Sequence, residues 1–105
     1  NITPIDIVCV NLYPFEQTVE KEGCTLEEAI EQIDIGGPCM LRSAAKNCES
    51  IYVLSSPDQY RKTLDKLRSD KGVIEPNYGR QLALRAYELT ARYDKTISSY
   101  IAETL

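Results

Sequence analysis

The segment IDIVCVNLYP, residues Ile5–Pro14, indicates the fold class of this chain. From Ile5 to Leu12 its residues are apolar except for Asp6 and Asn11, and the run ends at Pro14. A run of this kind is typical of a strand that is buried on both faces in a parallel sheet. We therefore expect a first core strand over residues 5–12 and an α/β fold.

Capping, turn and periodicity signals divide the rest of the chain into helices and a second short strand. A capping box of Thr25 and Glu28 predicts a helix from Leu26 to about Ile33, and a second helix is predicted from Pro38 to about Asn47. A strand is predicted over Ile51–Leu54. It is followed by a helix that Ser56 and Pro57 open and that ends near Lys71 and Gly72, and by one long helix over Pro76–Leu105. The side chains expected to pack are Leu26, Ala29, Ile30 and Ile33 on the first helix, Met40, Leu41, Ala44 and Ala45 on the second, and Tyr60, Leu64 and Leu67 on the third.

Two strands joined through helices predict a parallel pair, because such a crossover is needed to bring the chain back in the same direction. We predict an α/β fold that is a partial three-layer parallel sheet with helical cover and that ends in a long helix. The expected organisation is one domain over residues 1–105 with no second domain. Because the chain begins at Asn1 rather than Met, we also expect it to be a piece of a longer protein.

Composition and charge exclude several classes of function. Among 105 residues, 12 Lys and Arg face 16 Asp and Glu, and the resulting net charge of −4 argues against a general nucleic-acid binder. No apolar run is long enough to cross a membrane. The four cysteines form no C-x-x-C pair and the chain has no histidine, so we expect four reduced thiols, no metal site and a cytoplasmic location. Without histidine, proton transfer falls to Lys, Asp, Glu, Tyr or Cys.

Polar residues follow the first strand at the edge where α/β sheets place their ligands. Asn11 and Tyr13 stand at the strand end, and Pro14 follows them. One interpretation is that these residues only shape a strand-to-helix turn. The other is that they face a bound molecule.

The segment IDIGGPCMLRSAAKN, residues 33–47, contains an acid, two glycines and a helix start. Gly36 and Gly37 allow backbone to approach a ligand closely, and amides at the start of the helix could hold anionic oxygens. An ordinary helix-to-helix turn with Asp34 at a helix end is the alternative.

Lys46 follows two alanines on a helix expected to be mostly buried, so its amine is expected to be partly desolvated. Burial lowers a lysine pKa, whereas a nearby carboxylate such as Asp34 favours the ammonium form. The alternative is a solvated lysine that complements the helix dipole. Arg42, one turn earlier, is open to two interpretations, a phosphate ligand or a surface ion pair.

Three segments in order, NLYPFEQTVEKEG, TLEEAIEQIDIGGPCMLRSAAKN and LALRAYELTARYD, resemble the cyclohydrolase part of the AICAR formyltransferase and IMP cyclohydrolase family of purine biosynthesis. The resemblance runs from about Asp6 to Leu105. It implies the C-terminal portion of an IMP cyclohydrolase domain, similar to the second half of a methylglyoxal-synthase-like domain. The family commonly has a histidine where this chain has Cys48.

The resemblance implies a reaction and a set of site residues. The reaction is closure of FAICAR to inosine monophosphate with loss of water, which needs no cofactor; the formyltransferase half of the family would use 10-formyltetrahydrofolate. The implied catalytic residues are Lys46, Asp34 and Tyr13, and the implied substrate-binding residues are Val10, Asn11, Asp34, Ile35 and Gly36. The family also implies a homodimer. We expect the three catalytic side chains to converge on one purine-sized hollow, and we expect the chain by itself to be inactive and to self-associate.

Two other classes of function stay open. The methylglyoxal-synthase-like fold also serves as a nucleotide-sensing or metabolite-sensing binding module, and fold alone does not exclude this. A helical interaction module built on residues 76–105 is the third interpretation, but it leaves the polar strand end unexplained.

Overall fold

Two short strands pair in parallel at the centre of the molecule, in a computed structural model that describes all residues from 1 to 105. They are β1, Ile7–Cys9, and β2, Tyr52–Leu54, with Ile7 opposite Tyr52 in the register. The chain returns from one strand to the other through helices, as a parallel pair requires. The predicted α/β fold with a parallel sheet is confirmed.

The chain also forms five α-helices. They are α1 (Phe15–Glu20), α2 (Leu26–Glu31), α3 (Gly36–Lys46), α4 (Tyr60–Ser69), which follows a 3-10 turn over Pro57–Gln59, and α5 (Pro76–Glu103). The capping box of Thr25 and Glu28 is present at the start of α2, and α5 is the predicted single long helix. At about 1.5 Å per residue, α5 is roughly 42 Å long.

Helix α1 was not predicted from the sequence. It begins directly after Pro14, whose carbonyl accepts the Thr18 N–H at 3.0 Å, and its first residue Phe15 is buried. Six residues form a marginal helix on their own, so α1 depends on the burial of Phe15 rather than on helix propensity.

The main core lies where α3 and α5 pack against each other and against β2. All three residues of β2 are buried, and the other buried hydrophobic members are Leu41, Ala44 and Ala45 on α3 and Tyr78, Leu82, Ala83 and Ala86 on α5. Gly79 lets α5 approach the end of α3, because a Cβ at this position would collide with the backbone carbonyl of Cys48.

A second, smaller core lies under the C-terminal half of α5. Phe15 of α1, Ala29 of α2 and Tyr93 of α5 are its buried members. The Phe15 ring packs edge to face against Tyr93 at 6.3 Å and against Tyr100 at 5.7 Å between centroids. The length of α5 is thus used within the chain, because its second half covers α1 and α2.

The prediction that the first strand is buried on both faces is wrong. Ile7 is 43 % exposed, Ile5 is 65 % exposed and regular pairing covers only residues 7–9. β1 has one neighbour, β2, so its other edge and part of its apolar surface face solvent.

The predicted helix faces are correct at some positions and wrong at several large side chains. Leu26, Ile30, Met40, Tyr60 and Leu64 are all more than a third exposed. Ala29, Leu41, Ala44 and Ala45 are buried as expected. A two-stranded sheet offers too little surface to cover every apolar stripe around it.

All four cysteines are free thiols, as predicted. No helix combines the length and the apolar character that a membrane crossing demands.

Candidate functional site

The carboxyl ends of β1 and β2 lie side by side, and the predicted site residues of the first strand lie just beyond that edge. Val10 is half-buried and its N–H donates to the carbonyl of Leu54 at 3.0 Å, so the strand pairing continues for one residue. Asn11 is exposed and Tyr13 is 60 % exposed. Their side chains are therefore available to a ligand.

Asp34 joins this strand end to the start of α3. Its Oδ1 accepts the Gly37 N–H at 2.8 Å, and its Oδ2 accepts the Tyr13 N–H at 3.2 Å. One half-buried carboxylate thereby fixes two backbone segments, the end of β1 and the first turn of α3. We call the group formed by Tyr13, Asp34, Ile35, Gly36 and Gly37 the strand-end corner.

The two glycines of the corner have different roles. Gly37 is buried, and a Cβ there would lie 2.6 Å from Asp34 Oδ2 and 2.8 Å from a methyl carbon of Leu12. Gly36 is exposed with nothing within 4 Å of such a Cβ, and the neighbouring Ile35 is 77 % exposed. Close packing therefore requires glycine at 37, while Ile35 and Gly36 present free surface.

Tyr93 of α5 contacts the corner, and the sequence does not predict this contact. Its hydroxyl accepts the Asp34 backbone N–H at 2.8 Å and donates to the Gln32 carbonyl at 3.5 Å. Burial raises the pKa of the Tyr93 phenol above its ordinary value, so the hydroxyl stays protonated near neutral pH. The available signal was a tyrosine in an apolar helix stripe, because a buried tyrosine hydroxyl needs a partner.

Tyr60 at the start of α4 contacts the other side of the strand end. The Asn11 side-chain amide donates to the Tyr60 hydroxyl at 3.1 Å, and the Cys9 thiol donates to it at 3.3 Å. The helical spacing predicts a packing role for Tyr60. In the structure this residue instead holds the Asn11 side chain.

Lys46 does not lie with the other predicted catalytic residues. It is exposed at the last position of α3, whereas Asp34 precedes the first turn of the same helix. At 1.5 Å per residue, the ten steps from Gly36 to Lys46 span about 15 Å. The length of α3 therefore keeps the Lys46 Cα apart from the corner in this chain, and the convergence of Lys46, Asp34 and Tyr13 stays a prediction. The exposed position of Lys46 fits the alternative considered above, a solvated lysine at the end of the helix.

Arg42 also lies away from the corner. Its guanidinium stacks over the ring of Tyr87, with 5.6 Å between the guanidinium carbon and the ring centroid. The structure thus gives it a cation–π contact between α3 and α5 in place of the two roles considered from the sequence.

A cavity of about 750 Å³ opens beside the strand ends and under α5, and this volume is within the range of small-molecule sites. Its strand-end wall contains Asn11 and Tyr13, and residues that follow β2, including the buried Ser55, form another part. Arg85, Glu88 and Arg92 of α5 and the first residues of α1 also line it, and Arg85 pairs with Asp58 at 3.1 Å.

The arrangement can bind a planar polar molecule and orient it. The corner offers an accessible phenol, a carboxylate whose two oxygens each accept one backbone N–H, and exposed surface at Ile35 and Gly36. Among the predicted catalytic residues, Asp34 and Tyr13 are in contact here, through the Asp34 carboxylate and the backbone N–H of Tyr13.

Comparison with known proteins identifies the family. The family model described as the AICARFT/IMPCHase bienzyme matches residues 44–105, and the MGS-like domain model matches residues 3–39. The bifunctional purine biosynthesis proteins PurH of Magnetococcus marinus and Trichormus variabilis are 56% identical over 101 residues and 50% identical over 103 residues. These alignments cover 96% and 98% of this chain, but 19% and 20% of the relatives.

A solved structure shows the same fold. The crystal structure of ForH superposes with a TM-score of 0.73 at 33% sequence identity, over 96% of this chain and 52% of that one. The chain spans about a fifth of the length of the curated relatives it matches. On the family match over most of its residues, the chain belongs to the AICARFT/IMPCHase bienzyme family.

Proposed function

We propose that this chain contributes one wall of the site at which IMP cyclohydrolase closes FAICAR to inosine monophosphate in purine biosynthesis. The observation that carries the proposal is the Asp34 clamp, which holds the Tyr13 backbone and the start of α3 at one edge of a parallel strand pair. Membership of the AICARFT/IMPCHase bienzyme family supports the choice of reaction.

The reaction demands orientation and proton transfer. The carboxamide nitrogen attacks the formyl carbon, and the formyl oxygen leaves as water with one hydrogen from each of the two nitrogens. An amide nitrogen is a weak nucleophile, so holding it against the formyl carbon supplies much of the catalysis. Charge develops on the formyl oxygen and needs a donor.

We assign roles to the corner accordingly. The exposed Tyr13 phenol donates to the formyl oxygen, and Asp34 orients the reacting amide beside it. Val10, Asn11, Ile35 and Gly36 form the floor for the base. Their positions at or next to the carboxyl end of β1 and the start of α3 support this assignment.

A proton-transfer role for Lys46 is a separate proposal. The helix places its Cα about 15 Å from Gly36, so the role requires a rearrangement that brings the amine to the substrate. Lys46→Ala is expected to lower kcat sharply with little change in nucleotide affinity, whereas Lys95→Ala, at another exposed lysine, leaves both unchanged. Equal kcat in the two variants would remove Lys46 from the mechanism.

The experiment uses a chimera in which this chain replaces the matching 101-residue segment of the Magnetococcus marinus relative. We expect the chimera to convert FAICAR to inosine monophosphate, and the 105-residue chain alone not to do so. Tyr13→Phe in the chimera is expected to reduce kcat by about a hundredfold, the size of one lost general-acid contribution. Full activity of Tyr13→Phe would refute its role.

The second candidate is a nucleotide-sensing or metabolite-sensing binding module. Two observations favour it: both Asp34 oxygens accept structural hydrogen bonds, and Lys46 lies far from the corner. Calorimetry with inosine monophosphate separates the two candidates. Tight binding by a chimera that does not cyclise FAICAR supports the sensor.

Further properties of the family belong to the same proposal. We expect a homodimer in the cytoplasm that binds a small nucleotide and neither nucleic acid nor membrane. 10-Formyltetrahydrofolate would serve the formyltransferase part, and no residue of this chain is assigned to it.

A further inference from the structure

The buried hydroxyl of Tyr93 on α5 forms a hydrogen bond with the backbone of the strand-end corner. Tyr93 is 9 % exposed, and its oxygen accepts the Asp34 N–H at 2.8 Å. The same oxygen lies 3.5 Å from the carbonyl of Gln32, to which it donates. The turn before α3 is thus attached to α5 on both sides of Ile33.

Asp34, whose backbone Tyr93 binds, also joins the other backbone segments of the corner through its side chain. Asp34 accepts the Tyr13 N–H at Oδ2 and the Gly37 N–H at Oδ1. A shift of the Asp34 backbone would move its carboxylate and release one or both partners. Tyr93, Asp34 and Tyr13 therefore form one continuous hydrogen-bonded path between α5 and the end of β1.

The Tyr93 ring is fixed independently of its hydroxyl. It packs edge to face on Phe15 with an interplanar angle of 70°, in the small core with Ala29. Packing of the Tyr93 ring fixes the position of its hydroxyl oxygen, and the hydrogen bond to this oxygen fixes the position of the Asp34 backbone. Since the buried phenol stays protonated, the hydrogen-bond pattern is constant through the physiological range.

We propose that Tyr93 is a positioning residue for the strand-end corner, so that α5 determines where Asp34 and Tyr13 stand relative to a bound substrate. The inference rests on the proposed cyclohydrolase function for its effect on turnover. Tyr93 acts through Asp34, and its hydroxyl makes both of its hydrogen bonds within the protein.

Tyr93→Phe tests the inference, and Tyr100→Phe is its matched control. Both rings contact Phe15 from the same helix, but only the Tyr93 hydroxyl makes hydrogen bonds. In the chimera, we expect Tyr93→Phe to lower kcat about tenfold, because the net effect of one typical hydrogen bond corresponds to about a tenfold change in rate. KM for FAICAR should change less, and Tyr100→Phe should leave kcat and KM within twofold.

Amide hydrogen exchange provides a readout that does not depend on activity. In Tyr93→Phe, the Asp34 and Tyr13 amides should exchange about tenfold faster, while the amide of Leu41 in the main core is unchanged. Tyr100→Phe should alter neither corner amide.

The outcomes separate the two hypotheses. An inactive wild-type chimera overturns the proposed function. Unchanged exchange at Asp34 and Tyr13 in Tyr93→Phe overturns the positioning inference, as does equal kcat in the two tyrosine variants of an active chimera. Faster exchange at Leu41 by the same factor also overturns it, because the variant would then act through global stability.

Discussion

Gly37→Ala should break the clamp that organises the strand-end corner. The new methyl carbon would lie 2.6 Å from Asp34 Oδ2 and 2.8 Å from a Leu12 methyl carbon, whereas carbon and its neighbours normally stand about 3.5 Å apart or more. The Asp34 carboxylate must therefore move by most of an ångström. It cannot do so freely, because each of its oxygens accepts a backbone N–H.

The magnitude follows from these contacts. Losing one hydrogen bond to a charged group costs about 1.5–3 kcal/mol, and crowding Leu12 adds about 1 kcal/mol. Alanine regains up to about 1 kcal/mol of helix propensity over glycine in the first turn of α3. We expect a net loss of about 2 kcal/mol in the free energy of unfolding.

Urea denaturation followed by circular dichroism measures this loss. With an m value of about 1–1.5 kcal/mol/M, the midpoint should fall by roughly 1.3–2 M. Gly36→Ala is the control, because its methyl group has open space; it should not lower the free energy of unfolding and should raise it by up to about 1 kcal/mol through helix propensity. A Gly37→Ala midpoint equal to that of Gly36→Ala would show that Asp34 does not hold the corner.

Three further predictions concern stability. Gly79→Ala, which would drive a methyl group into the Cys48 carbonyl, should lower the free energy of unfolding by about 2 kcal/mol or more in the same urea assay; an unchanged midpoint would contradict the close contact of α5 with the end of α3. Thr25→Ala removes the α2 capping box and should cost about 1 kcal/mol, measured as a fall of several degrees in the melting temperature; no fall would mean that α2 does not rely on its cap. The pKa of the Tyr93 phenol is raised in the folded state, so its protonation contributes fully to stability below the unfolded-state pKa near 10. This contribution is lost as pH rises through the folded-state pKa. The loss of folding stability at alkaline pH should therefore be smaller in Tyr93→Phe than in the wild type, and identical profiles of stability against pH would refute this.

Local signals in the sequence were sufficient for most elements of the fold. The capping box at Thr25, the proline near the start of α3 and the uninterrupted periodicity after Pro76 each act within a few residues, so the helices could be placed without tertiary information. Helix α1 could not be placed, because it forms around the burial of Phe15 against residues far away in the chain. The prediction that the first strand is buried is wrong for a related reason, because burial depends on neighbours on both sides of the strand.

For the candidate site, the sequence determined which residue types stand at the strand end and at the double glycine, and the resemblance of its segments determined the family. Only the tertiary structure decided which of them meet: Asp34 and Tyr13 are hydrogen-bonded, Lys46 is a helix length away, and Tyr93 and Tyr60 arrive from distant elements. The physical reason is that a helix fixes the spacing of its own residues, whereas contacts between elements depend on the packing of whole side-chain surfaces.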